Sequence, residues 1–131
     1  MKLTNGKIVT FLGVSHVLLA VSPWAFGAQF KGFAQNGFLK VSEGLLEFPL
    51  MDGQMDYEVF ATFWFFYFGL LLIPLGLLMH STEKATMKLP KRFVWTYLVV
   101  VLIGVYMIPL SGMTFLMLPH ALYMLYRYRK S

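Results

Sequence analysis

Four hydrophobic stretches occupy most of the 131 residues of this chain. A helix rises about 1.5 Å per residue, so ~20 residues cross the ~30 Å hydrocarbon core of a bilayer. The predicted spans are residues 8–26, 59–79, 93–108 and 113–126. The last two are short, but their aromatic and basic ends can reach the interfaces. The sequence therefore predicts an all-α membrane protein, with four transmembrane helices in one up-down bundle that forms a single domain over residues 1–131.

Composition limits what else the chain can be. Hydrophobic residues make up 58% and charged residues 13%, against roughly 25% charged in an ordinary soluble domain. The sequence has no cysteine, which excludes disulfides, thiolate metal sites, iron–sulfur clusters and cysteine nucleophiles. The net charge of +5 comes from basic residues at span ends, a pattern that membrane topology explains better than a nucleic-acid partner does.

The distribution of basic residues predicts the orientation of the chain. Nine of the eleven Lys and Arg residues lie on one side of the four spans: Lys2, Lys7, Lys84, Lys88, Lys91, Arg92, Arg127, Arg129 and Lys130. The loop on the other side, residues 27–58, carries two lysines and five acidic residues. Because basic residues concentrate in cytoplasmic loops, both termini are predicted to be cytoplasmic.

A secretory signal peptide over residues 1–28 is an alternative to the first span. Lys2 and Lys7 would form its charged start, and Ala25-Phe26-Gly27 would be the cleavage site. Cleavage would leave three helices with termini on opposite sides and would break the charge pattern. The sequence therefore favours a retained first span.

The outer loop contains a helical pattern. Its apolar residues recur at steps of four and three, namely Ala34, Phe38, Val41, Leu45 and Phe48, and Pro49 ends the pattern. This spacing predicts a short amphipathic helix over 33–48 that lies in the outer interface or caps the bundle. The alternative is a solvated connector with a few hydrophobic anchors.

Two histidines fall inside predicted spans, where ionisable groups are costly and usually have a partner. His16 lies ~12 Å and His120 ~9 Å from the cytoplasmic side, so the two could face one another if the first and fourth helices are neighbours. Two imidazoles could ligate a non-covalent haem, bind a metal, relay protons or hold a polar ligand group. The structural alternative is a hydrogen bond to a nearby carbonyl or hydroxyl, with Ser15 and Thr114 as candidates.

Two other ionisable residues flank the second span. His80 is predicted to end that helix at the cytoplasmic side, where an imidazolium suits the helix dipole. Glu58 opens the helix at the outer end, where a carboxylate suits the dipole equally well, and it could contribute to a site only by turning inward.

Small residues and prolines indicate how the helices pack. Gly69 and Gly76 lie on one face of the second span and should allow a neighbour to approach closely. Pro74 and Pro119 each free a backbone carbonyl and should kink their helices. Residues 109–112, Pro-Leu-Ser-Gly, predict a tight outer turn.

Aromatic residues suggest a second candidate site. Trp24, Trp64, Trp95 and Tyr97 lie near span ends and are typical of interfacial anchors. The run 60–68 holds more aromatic side chains than anchoring requires. It could line an apolar pocket for a lipid, quinone or sterol-like molecule, with Trp64 and Phe68 as contacts, or it could simply face lipid.

Several motifs resemble one family. They are Gly6 with Gly13-Val14-Ser15-His16, then Phe63-Trp64-Phe65 with Phe68-Gly69 and Gly76-Leu77, then Leu89-Pro90, and Ile108-Pro109-Leu110-Ser111-Gly112. Together they resemble a family of small four-helix bacterial membrane proteins known as a domain of unknown function. The resemblance covers nearly the whole chain and implies a multi-pass protein of the bacterial cytoplasmic (inner) membrane, but it implies no activity. Among the candidate site residues, His16 matches the motif and His120 does not.

Three classes of function remain open at this point. The favoured one is a non-enzymatic binding or assembly subunit that holds a membrane lipid or lipophilic small molecule, docks on a larger membrane complex or forms a homo-oligomer. Its candidate ligand-binding residues are His16, His120, Trp64, Phe68 and Glu58. The second is an enzyme acting on a lipid-soluble substrate, with His16 as acid–base and Glu58 or His120 as its partner. The third is a transporter subunit. No cofactor is required, although a haem at the two histidines stays an alternative.

Overall fold

The computed structural model describes residues 3–36, 50–51, 54–55 and 57–130, and these residues are almost entirely helical. The helices are α1 (Asn5–Val21), α2 (Gly27–Asn36), α3 (Tyr57–Thr86), α4 (Lys91–Met107) and α5 (Leu118–Lys130), the last entered through a π-helical segment, Met113–Met117. Two very short strands, β1 (Leu50–Met51) and β2 (Gln54–Met55), pair antiparallel, with Leu50 opposite Met55. The all-α fold predicted from the sequence is confirmed apart from this small hairpin.

Helices α1, α3, α4 and α5 coincide with the four hydrophobic stretches. They differ in whether they are long and apolar enough to cross a membrane. Within the described part of the chain, one helical segment is both long and apolar enough, Phe60–Thr86, with a mean hydropathy of 2.0. Helix α1 is apolar but has 17 residues, which reach only about 25 Å. The structure therefore supports one of the four predicted transmembrane helices directly.

The chain divides into two compact units. The terminal unit comprises Met1–Ile8 and Leu75–Ser131, and the central unit comprises Val9–Pro74. Within α3 the division falls at Pro74, the proline that removes a backbone hydrogen bond from the interior of that helix.

Helices α1 and α3 approach each other through glycines in both units. In the terminal unit, a Cβ on Gly6 would collide with the carbonyl oxygen of Gly76. In the central unit, a Cβ on Gly13 would lie 2.8 Å from the carbonyl oxygen of Gly69. The prediction that Gly69 and Gly76 admit a close neighbour is confirmed, and that neighbour is α1. We call these four residues the glycine seam.

The core of the terminal unit forms where α4 packs against the π-helical segment and α5. Its buried residues are Val94, Tyr97, Leu98 and Val101 of α4 with Met117, His120, Ala121 and Met124. The α4 members recur at helical spacing and so occupy one face. The remaining surface of α4 is equally apolar but exposed, with Val100 at 54% and Ile103 at 53%.

The connection between α4 and α5 follows the sequence prediction. Residues 109–111 form a turn, and the Thr114 hydroxyl donates to the Pro109 carbonyl at 2.6 Å. The π-helical segment then ends just before Pro119. Because a proline ring clashes with the carbonyl four residues earlier and offers no N–H, the wider π-turn is the local adjustment that admits Pro119 into the helix.

The structure shows a helix in the outer loop that the sequence did not predict. Helix α2 ends at Asn36 and begins at Gly27, whereas the periodicity predicted a helix over 33–48. Most of that predicted segment, including Phe38, Leu45 and Pro49, lies outside the described residues. The aromatic residues of α2 pack on α3, with ring centroids 4.9 Å apart for Phe30 and Phe66.

Candidate functional site

A buried carboxylate organises the start of α1 in the terminal unit. The first N–H groups of a helix have no partner within the helix, and the first turn of α1 has no acidic residue of its own. Glu83, on α3, accepts hydrogen bonds from the backbone N–H of Asn5 at 3.2 Å and of Gly6 at 3.0 Å. It also accepts one from the Asn5 side-chain amide at 2.6 Å. Glu83 therefore serves as the N-terminal cap of a helix that begins 78 residues earlier in the chain.

Thr4 completes this cap. The Lys7 N–H donates to the Thr4 hydroxyl at 3.4 Å, and the Ile8 N–H donates to the Thr4 carbonyl at 3.3 Å. The first four amide groups of α1 thus all have acceptors. The Thr4 hydroxyl also lies 2.8 Å from Nδ1 of His80. The prediction that His80 caps the end of its helix is wrong, because α3 continues to Thr86.

These groups border an open cleft of about 320 Å³ within the terminal unit. The cleft is lined by Thr4, Lys7, His80, Glu83, Lys84, Met87 and Arg127, and we call it the basic cleft. Three of these side chains are cationic and one is anionic. The anionic one, Glu83, already binds three N–H donors. Nη1 of Arg127 donates to the Leu3 carbonyl at 3.3 Å, which fixes the guanidinium at the edge of the cleft.

Asn5 connects the cap to a smaller cavity. Its side-chain Oδ1 is buried and has no hydrogen-bond partner among the described residues. A cavity of about 20 Å³ is lined by Asn5 and Glu83 together with Leu89, Met124 and other residues. This volume is sufficient for one water molecule, which would give the buried amide oxygen a partner.

His120 forms a second buried polar group in the terminal unit. It is 5% exposed, and its Nδ1 lies 3.1 Å from the Tyr97 hydroxyl. Its Nε2 is buried without a partner in the part of the chain that the structure describes. Thr114 was a candidate partner for a histidine, but its hydroxyl donates to the Pro109 carbonyl, and the hydroxyl that meets His120 is that of Tyr97. Tyr97, predicted to be an interfacial anchor, is 9% exposed and instead holds His120.

His16 lies in an aromatic setting in the central unit. Its ring stacks on Phe65 with centroids 4.4 Å apart and meets the edge of Phe68 at 5.7 Å. The polar group that interacts with its ring is the backbone of Leu12, one turn earlier in α1. His16 is half-buried.

The other sequence-predicted site residues lie at the surface. Trp64 is 46% and Phe68 41% exposed, and the Trp64 ring contacts Phe63 and Tyr67. Glu58 lies in the first turn of α3, as predicted, and is exposed.

The structure therefore brings two of the five candidate residues, His16 and Phe68, into direct contact. His120 belongs to the other unit and has its own partner, Tyr97. The pairing of His16 with His120 stays a prediction. Among the residues that the structure describes, no group of three or more His, Asp or Glu side chains could hold a metal ion.

Sequence reasoning did not find Glu83, Asn5 or Tyr97. A signal existed for the first two. Thr4, followed by Asn5 and an apolar run, is a typical helix start, and Glu83 is the one acidic residue in an otherwise basic link between predicted spans. Tyr97 gave no such signal, because a tyrosine near a span end is usually an anchor.

These features define a small, almost entirely helical chain with one helix suited to crossing a membrane and with buried polar groups in its terminal unit. The chain belongs to the Family of unknown function (DUF6463), whose sequence model matches residues 2–131. The predicted membership of a domain of unknown function is thereby confirmed. Comparison with curated proteins and with solved structures gives no significant match.

Proposed function

We propose that this chain is a small multi-pass protein of the bacterial cytoplasmic membrane, with four spans and both termini in the cytoplasm, and that it acts by binding a lipophilic ligand. The observation that carries the membrane assignment is the surface of α3. Its most apolar 18-residue window has a mean hydropathy of 2.0, yet only 28% of that window is buried. A soluble protein would bury such a helix in its core, so the exposed apolar surface of α3 is better suited to contact with lipid.

The surface of helix α4 also supports a lipid environment. Val101 is fully buried, whereas Val99, Val100 and Ile103 are each more than half exposed. Burial of apolar surface is worth about 25 cal/mol per Å², so water on this face would be costly and acyl chains would remove that cost. Basic residues flank the helix at its start, with Lys91 and Arg92, as expected for a cytoplasmic helix end.

The aromatic setting of His16 supports a ligand site in the central unit. An imidazole stacked on Phe65 offers one hydrogen-bonding group within an otherwise apolar surface. Phe68 and Trp64 extend that surface outward, since both are partly exposed. This combination suits a membrane lipid or lipophilic small molecule that carries a single hydroxyl or carbonyl group.

The membrane assignment is tested by spin labels in lipid nanodiscs. The native chain has no cysteine, so Ile103→Cys and Lys91→Cys each give one attachment point on the same helix. A label at position 103 should collide with oxygen and not with a water-soluble nickel chelate, and a label at position 91 should do the reverse. Nickel access at position 103 would contradict the proposal.

The ligand site is tested by native mass spectrometry of the purified chain. A co-purifying lipophile should be retained by the native protein and by Phe11→Leu, a change at an exposed α1 residue. It should be lost from His16→Leu while the helical content is unchanged. Retention by His16→Leu, or a native protein that carries no lipophile, would refute the ligand site and leave the membrane assignment standing.

A further inference from the structure

We infer that the basic cleft binds a phosphate group, carried by an anionic phospholipid head group or by free phosphate. The inference deepens the proposed function, because the lipid form of this ligand requires the chain to lie in a membrane. It concerns the terminal unit, whereas the lipophile proposed above binds at His16 in the central unit.

The charge of the cleft selects an anion. Lys7, Lys84 and Arg127 contribute three positive charges. Glu83 contributes the one opposing charge, and its carboxylate is already bound to three N–H donors. Counted as formal charges, the described side chains that line the cleft therefore sum to about +2. The N-terminus of α1 adds nothing to this attraction, since its amides are already satisfied.

The cleft is also pre-organised. Thr4 is tied to His80, Arg127 is tied to the Leu3 carbonyl, and Glu83 holds the start of α1 against α3. Residues from three segments of the chain are thus fixed around one space before any ligand arrives. Rigid positioning lowers the entropic cost of binding.

The donors present match phosphate chemistry. Lysine ammonium groups bind phosphate as point charges, and an arginine guanidinium binds its oxygens through paired N–H groups. The contact with Thr4 is made by Nδ1 of His80, so Nε2 is the ring nitrogen that can add a hydrogen bond to the ligand. The volume of about 320 Å³ lies at the lower end of the ~300–1,000 Å³ range of small-ligand sites.

The surroundings favour a lipid as the carrier of the phosphate. Lys7 and Lys84 belong to the basic residues that are expected at the cytoplasmic interface, where lipid phosphates lie. Met87 borders the cleft and is 77% exposed. It offers apolar surface next to the cations, as the junction between a head group and its acyl chains requires.

The test uses the full chain in nanodiscs of zwitterionic lipid doped with an anionic phospholipid, with retained lipid counted by native mass spectrometry. Lys7→Gln combined with Lys84→Gln should weaken retention of the anionic lipid roughly 10- to 30-fold, since each lysine in direct contact with the phosphate contributes about a factor of five. Lys91→Gln combined with Arg92→Gln removes the same charge outside the cleft and should leave retention unchanged. Lys84→Gln alone, at an exposed position, serves if the double variant folds poorly.

Free phosphate is tested separately in detergent, by thermal protection of the chain with inorganic phosphate. Protection that is lost in the Lys7 and Lys84 variants, without retention of anionic lipid, would identify free phosphate as the ligand and support the cleft. Equal losses in the cleft variant and the charge-matched control would overturn the inference, as would the absence of both retention and protection. The phosphate measurement in detergent does not depend on membrane insertion, so its outcome is distinguishable from failure of the proposed function.

Discussion

Glu83 shows how one side chain can take on a role that its position in the sequence does not reveal. It lies among basic residues at the end of a hydrophobic stretch, where a solvated charge would be the usual expectation. Instead it is 9% exposed and receives three hydrogen bonds from Asn5 and Gly6. A buried carboxylate is tolerated only when its oxygens are well partnered. The start of α1 therefore depends on Glu83, and Glu83 depends on the start of α1.

Glu83→Gln should lower the free energy of unfolding by about 1–3 kcal/mol, because hydrogen bonds to a charged acceptor are replaced by weaker ones. The measurement is a denaturant titration of the purified chain, followed by circular dichroism. Glu58→Gln, at the exposed first turn of α3, is the matched control and should change stability by less than about 1 kcal/mol. Equal effects from the two variants would show that Glu83 is not a cap.

Tyr97 and His120 should behave as a coupled pair. Tyr97→Phe removes the hydrogen-bond partner that the described residues provide for a 5% exposed imidazole, which should cost about 1–3 kcal/mol of stability. Combining it with His120→Phe removes the stranded polar group, so the double variant should be less destabilised than the two single effects added together. Tyr106→Phe, at a tyrosine that is 88% exposed, is the control. If the destabilisation of the double variant equals the sum of the two single effects, Tyr97 and His120 are not a coupled pair.

The sequence was sufficient to single out His16 and His120 but not to name their partners. A histidine inside an apolar run is conspicuous in any sequence, because a polar group among apolar neighbours is costly unless it has a partner. Which hydroxyl or ring meets it depends on the rotation of the helices about their axes, which periodicity does not determine. Thr114 was therefore predicted where Tyr97 is found, and the stacking of His16 on Phe65 was not foreseen.

At the scale of the helices, prediction was most accurate where the hydrophobic pattern is strongest. The hydrophobic segment predicted over 93–108 is found as the helix Lys91–Met107. The span predicted over 59–79 continues to Thr86, because a polar residue ends a hydrophobic stretch but does not end the hydrogen bonding of a helix. That difference accounts for the wrong expectation about His80. Helix α2 was not predicted because Gly27–Asn36 has a mixed composition and a weaker pattern than the segment after it. The helix predicted over 33–48 lies mostly outside the described residues and stays a prediction.

The glycine seam should be intolerant of even one methyl group. In Gly13→Ala the new Cβ would lie 2.8 Å from the Gly69 carbonyl oxygen and 2.9 Å from the Leu72 Cβ. Backbone atoms cannot yield as a side chain can, so α1 and α3 must move apart, at a cost of about 1–3 kcal/mol. This cost should exceed the gain of about 1 kcal/mol that alanine brings to a helix.

Gly112→Ala provides the matched control for this prediction, because nothing lies within 4 Å of a Cβ at that position. It should leave the thermal unfolding midpoint unchanged or slightly raised, whereas Gly13→Ala should lower it. If both variants unfold at the native temperature, the close approach of the two helices is wrong.

At the scale of the whole molecule, the charge pattern yields the sharpest expectation. Nine basic residues on one side of the four proposed spans predict cytoplasmic termini and an outer loop over 27–58. Reporter fusions after Lys40 and at the C-terminus should therefore give opposite signals, with alkaline phosphatase active only at the loop position. A fusion after Lys84 should match the C-terminal one. Matching signals at Lys40 and the C-terminus would contradict the four-span topology.

The cap on α1 has a consequence for how the chain is made. Synthesis proceeds from the N-terminus, so the first turn of α1 leaves the ribosome long before Glu83, which lies 78 residues further along. During that interval the amides of Asn5 and Gly6 lack the acceptor that they later share. The nascent α1 therefore lacks the Glu83 cap on its first two amides until the C-terminal end of α3 has been translated. A change at residue 83 should accordingly weaken a late step of folding, the docking of α3 on the start of α1, rather than the formation of α1 itself.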